Sequence, residues 1–150
     1  SIIMDANNRL NDLIIVTGRL VELLKRENDA LQNHKTSIVH DLLDEKTALS
    51  RVYETRFKSL AENPEVLQET DPDLRAQLQP LAEQVEELMG ENAKLLRAVI
   101  EANRRVVDLI AEAVQNQQPN AGTYGSNAAA ASDGANASGR RVALSLDQTL

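Results

Sequence analysis

Residues 72–114 run PDLRAQLQPLAEQVEELMGENAKLLRAVIEANRRVVDLIAEAV. Apolar side chains recur at Leu74, Leu78, Leu81, Val85, Leu88, Leu95, Val99, Ala102, Val106, Leu109 and Ala113, in alternating steps of four and three, with Asn92 the one polar member of the series. That spacing keeps one stripe on one side of an α-helix and is the signature of a coiled-coil seam. A lone Asn in such a seam either specifies register at some cost in stability or, here, softens a bend beside Gly90. Pro80 removes one backbone donor and predicts a kink or restart.

Working towards the N-terminus, Asn63-Pro64 and Asp71-Pro72 each pair a capping residue with proline at the first helical position, where a missing N–H is harmless. The connection is therefore Asn63 to Asp71, holding one helical turn over 64–68. Before it, residues 2–62 contain no proline. A seven-residue series, Ile3, Leu10, Thr17, Leu24, Leu31, Ile38, Glu45 and Val52, predicts one long helix over 2–62, with Leu13, Leu20, Leu42 and Leu49 beside the seam. Gly18 weakens that helix locally by about 1 kcal/mol relative to Ala. Tyr53 and Phe57, four apart, cap the closed end of the hairpin in this reading.

Two helices joined by a short connection pack antiparallel. Facing residue numbers then total about 134 at equal rise per residue. This sets the polar run from Lys25 to Lys35 opposite Val99 to Leu109, the most apolar part of helix two. There Leu96, Ile100, Val107, Ile110 and Val114 widen the apolar arc to about 160°. So broad a face needs a further cover: a third helix, a second copy, or another protein's helix laid into it.

After Val114 the periodicity ends. Residues 120–139 are almost wholly Ala, Gly, Ser and Asn, with too little bulky apolar surface to offset ordering entropy. The terminal run 140–150 differs, because Val142, Leu144 and Leu146 alternate with small or polar residues as in a short strand or docking peptide. The expected organisation is thus all-α: a long, coiled-coil-like antiparallel helical hairpin over 1–117 (helix one 2–62, helix two 72–117), then a flexible low-complexity tail over 118–150.

The 150 residues are 42% hydrophobic but only 2% aromatic, and Leu and Ala dominate, which is helix rather than sheet composition. With no Cys there is no disulfide framework, thiolate metal site or cysteine nucleophile. The net charge of −7, with basic residues spread along the chain, argues against nucleic acid as a partner. No stretch has the roughly 20 apolar residues of a membrane span, and the N-terminus lacks a signal-peptide pattern, so a cytoplasmic location is expected.

Catalytic chemistry has little to stand on. His34 and His40, six apart, do not share a helix face at ligand spacing. Asp41, Asp44 and Glu45 read as a solvated face, and no phosphate-binding glycine loop sits between a strand and a helix. No enzyme activity, metal or cofactor is expected. Arg104 and Arg105 flank the apolar face and suit either an acidic partner or solvent.

Leu23-Leu24, Glu27 and Leu31, followed by Leu42-Leu43, Glu45-Lys46 and Leu49, resemble the pattern of the FlgN-type flagellar export chaperones. Glu91-Asn92, Leu95-Leu96 and Glu101 to Arg105 are similar to its second helix, and Tyr124-Gly125 before the terminal run is similar to its tail. The resemblance covers nearly the whole chain. It implies a small cytoplasmic type III export chaperone, monomeric or weakly dimeric and not inserted in the membrane. Such a chaperone holds the C-terminal helices of flagellar hook-associated (hook–filament junction) proteins unassembled and brings them to the export apparatus at the inner membrane. It also implies client binding at the end of the helical region, which is the broad face already singled out: Leu96, Val99, Ile100, Asn103, Val106, Val107, Ile110 and Val114. Export-gate docking would fall to Tyr124, Gly125, Val142, Leu144 and Leu146; for Tyr124 an unengaged residue is the plain alternative. The rival function is a self-associating coiled-coil adaptor whose broad face is a homodimer seam.

Overall fold

A computed structural model describes residues 1–117. They form four helices: α1 (Ile2–Gln32), α2 (Thr36–Ala61), the single turn α3 (Pro64–Gln68) and α4 (Pro72–Asn116). The all-α class is as expected, and no strand occurs among the described residues. Two compact units divide the chain between Leu95 and Leu96, α4 contributing to both.

The helix expected over 2–62 is two helices, because the chain turns back at Asn33-His34-Lys35. The Lys35 N–H donates to the Ala30 carbonyl at 2.8 Å and the His34 N–H to Leu31 at 3.3 Å, the paired bonds of a Schellman ending. His34 takes the left-handed conformation usually given to glycine, with φ 56°. Asn33 adds side-chain bonds from Nδ2 to the Asp29 carbonyl at 2.9 Å and to Asp29 Oδ1 at 3.2 Å. The polar run that had no apolar match in a two-helix hairpin is therefore the approach to a turn, and α1 folds back on α2.

In the first unit α1, α2 and residues 72–95 of α4 make a three-helix bundle. Glu27 of α1 meets Lys46 of α2, and Asp12 meets Arg56, so α1 and α2 are antiparallel. Asn7 meets Asp71 and Asn28 meets Leu88, so α1 and α4 run parallel. The antiparallel partner of α4 is α2, with Lys46 on Asn92, one helical turn from the predicted register.

Helix α1 is the most deeply buried. Ala6, Leu10, Leu13, Thr17, Leu20, Leu24, Glu27 and Leu31 repeat the four-and-three spacing and are all buried, while Ile3, expected in the seam, is exposed. Leu20, Val21 and Leu24 pack with Val85, Leu49 and Leu81. Leu10 and Leu13 pack with Leu60, Leu67, Leu74 and Leu78. Tyr53 touches both clusters. On α2 the turn resets the phase: Val39 and Leu42 are buried, whereas Glu45, on the expected seam, is exposed.

The connection follows its sequence signals. Pro64 opens α3 and Pro72 opens α4. Asp71 Oδ1 accepts from the Asp73 N–H at 2.9 Å, while the Asp71 N–H donates to Asn7 Oδ1 at 2.9 Å, tying this end to α1. Asn63 sits at the cap of α3 without a side-chain capping bond. Gly18 and Pro80 interrupt neither α1 nor α4. Pro80 and Ala76, whose carbonyl loses its donor, both lie on the exposed side, where water can replace the bond.

Candidate functional site

Apart from Thr17, whose hydroxyl donates to the Leu13 carbonyl of its own helix, each helix of the bundle carries one polar residue in its apolar seam: Glu27 on α1, Lys46 on α2 and Asn92 on α4. The three meet in one layer. Lys46 Nζ donates to Glu27 Oε1 and to Asn92 Oδ1, both at 2.8 Å. Asn92 Nδ2 donates to Glu27 Oε1 and, at 2.9 Å, to Asn28 Oδ1. Asn28 Nδ2 closes the network on the Leu88 carbonyl at 3.2 Å. Glu27 is only 1% exposed, so its carboxylate depends on these donors, since an ion without partners is costly in the interior.

Asn92 bonds to both partner helices, as a residue that sets register would, and α4 is continuous through Gly90. The layer lies inside the bundle and fixes how three helices align; it offers no open position for a reacting group. Sequence reasoning missed Glu27, because a glutamate reads as surface. The available signal was that 27 falls in the series 20, 24, 27, 31 between two leucines and another leucine.

The second unit, from Leu96 to the end of α4, carries the apolar residues singled out in the sequence. Val106, Leu109 and Ile110 are 54%, 63% and 58% exposed and Val114 42%. Steps of three (106 to 109) and four (106 to 110 to 114) set them along one side of the helix. Leu96, Val99, Ile100, Asn103 and Val107, the other positions expected to bind a client, are partly buried. A helix face so apolar and so open to water can gain by covering, roughly 1 kcal/mol for each side chain that is half-exposed and becomes buried. Tyr124, Gly125, Val142, Leu144 and Leu146 lie outside the described residues.

Comparison with known proteins adds one direction. The chain is similar to a flagellar protein. Over 123 residues, 81% of this chain and 83% of the other, it is 24% identical to the flagellar basal-body protein FlbY of Caulobacter vibrioides. No known family profile matches the chain, and no solved structure matches it.

Other features bear on what the surfaces can do. Among the described residues no group of His, Cys, Asp and Glu is arranged to hold a metal ion. No helix among them is long and apolar enough to cross a membrane. His34 occupies the turn and His40 is exposed on α2. Tyr53 and Phe57 stack at 5.6 Å between ring centres, tilted by 40°. They lie beside Leu67 of α3 and Leu78 of α4, next to the connection, the closed end at which the sequence placed them; burial, aided by Glu86, raises the Tyr53 hydroxyl above its ordinary pKa.

Proposed function

We propose that the protein is a flagellar assembly factor acting as a type III export chaperone. In the cytoplasm it holds the amphipathic C-terminal helices of hook-associated proteins on the α4 stripe and carries them to the export apparatus at the inner membrane. The observation that carries this reading is the exposed row Val106, Leu109, Ile110 and Val114. Similarity to a flagellar protein along most of both chains supports the setting, and the FlgN-type pattern, carried by α1, α2 and α4, supports the chaperone role. A helix laid on this row would bury apolar area at about 25 cal/mol per Å². Rigid-body and ordering losses offset much of that gain, which suits a carrier that must release its cargo. No catalytic step belongs to this function.

The test is calorimetric titration of the full chain with a peptide spanning the C-terminal helix of a hook–filament junction protein. Ile110→Asp should abolish binding and leave helicity by circular dichroism unchanged. Equal affinity of the folded variant would refute the assignment. Sedimentation of the chain alone checks the adaptor alternative, for which a tight dimer lost in Ile110→Asp is the signature.

A further inference from the structure

A second surface lies wholly in the first unit. Between α2 and α4 runs a groove of about 560 Å³. Its floor is Tyr53 and Phe57 from α2 and Leu78 and Val85 from α4, and its α4 edge carries Glu83 and Glu86. Phe57 is exposed although it stacks on Tyr53. Arg75, at one end, is spent on the α3 carbonyls: its guanidinium donates to Gln68 at 2.9 Å and to Leu67 at 3.4 Å. Neither Glu83 nor Glu86 is in an ion pair among the described residues; Glu83 Oε1 accepts only a long bond from Gln79, at 3.4 Å. The groove is therefore apolar below and acidic along its rim.

We propose that this groove docks a short stretch of a basic amphipathic helix from a partner protein. From Leu78 to Glu86 the floor extends about 12 Å, the length of some two helical turns. A channel between two antiparallel helices is the shape into which a third helix packs. Two aliphatic side chains spaced by three or four residues reach the aromatic pair and Leu78, while Lys or Arg on the helix flank meets Glu83 and Glu86. The net charge of −7 favours a basic partner at long range. A second copy of the chain fits poorly, because residues 96–116 carry Arg97, Arg104 and Arg105 against Glu101, Asp108 and Glu112 and so offer no excess positive charge. This surface is independent of the stripe at the end of α4.

The experiment titrates the full chain by calorimetry with a helical probe peptide of about five turns, bearing Leu along one face and Lys on both flanks. A second probe carries Glu in place of every Lys. The Lys probe should bind, more weakly as salt is raised, and the Glu probe should not. Glu83→Lys/Glu86→Lys, at two exposed positions, should weaken the Lys probe at least tenfold, as should Phe57→Asp, while Ile110→Asp leaves it unchanged. Equal binding of the two probes, indifference to the double charge reversal, or loss with Ile110→Asp would overturn the proposal. So would a tenfold gain in affinity in Arg140→Glu/Arg141→Glu, which would make the chain's own terminal segment the occupant.

Discussion

Lys46→Met isolates the logic of the buried polar layer. The substitution keeps the unbranched stem of the side chain, one atom shorter, and removes the ammonium that sits 2.8 Å from both Glu27 Oε1 and Asn92 Oδ1. What remains is a carboxylate whose side chain is 2% exposed, held only by Asn92 Nδ2, and an Asn92 oxygen that has lost its donor. Breaking a buried pair in this way costs about 3–5 kcal/mol, a large share of the roughly 5–15 kcal/mol by which a domain is stable. Glu27→Gln should cost less, about 1.5–3 kcal/mol, because the Lys46 side chain is 16% exposed and its charge can turn to water. Replacing all three, Glu27→Leu/Lys46→Met/Asn92→Leu, removes every charge at once. Apolar replacement of a buried ion pair is neutral or stabilising by about 1–4 kcal/mol, against about 1–3 kcal/mol for leaving Asn28 Oδ1 without Asn92. The triple variant should thus lie within about 3 kcal/mol of the parent. Urea unfolding followed by circular dichroism measures all three. A Lys46→Met loss below about 1 kcal/mol, or a triple variant no more stable than Lys46→Met, would refute the reasoning.

Other outcomes follow from single positions. His34→Gly relieves the left-handed φ of 56° and should stabilise by about 0.5–1 kcal/mol, the steric relief exceeding the added freedom of the unfolded chain; an unchanged urea midpoint would contradict it. A Cβ built on Gly18 or Gly90 meets nothing within 4 Å, so Gly18→Ala and Gly90→Ala should each add up to about 1 kcal/mol, read as a higher melting temperature. Burial raises the folded-state pKa of Tyr53 above the ordinary 10.0. Its contribution is fully present below pH 10 and is lost as pH rises through the folded value. Tyr53→Phe should flatten that alkaline fall in a pH series of urea midpoints.

Proline and heptad spacing made much of this arrangement legible. Asn63-Pro64 and Asp71-Pro72 marked the α2–α4 connection, and the series from Leu74 to Ala113 marked α4. The turn at residues 33–35 was not legible in the same way, since Asn33-His34-Lys35 holds neither glycine nor proline and its left-handed position falls on a histidine. Its trace was a change of phase: the α1 series ends at Leu31 and the α2 series begins at Val39, off the seven-residue grid through Ile38. Glu27 and Lys46 fall within the chaperone-like pattern, yet nothing in their residue types announces burial. Only the crossing of three seams at one level, which needs the tertiary arrangement, gives them that role. The α4 stripe was legible from breadth alone, because a face wider than a two-helix seam must meet something else.

The central position of α1 also sets the timing of its assembly. The layer joins Glu27 to Asn92 and Asn28 to Leu88, so its bonds close only after about 60 further residues have followed α1 out of the ribosome. At roughly 5–20 residues per second that is a delay of about 3–12 s. Throughout it the leucine-rich side of α1 has at most α2 to lean on. Variants that speed closure at His34 or strengthen α2 would shorten the window in which the nascent chain can aggregate, even where the finished bundle gains little.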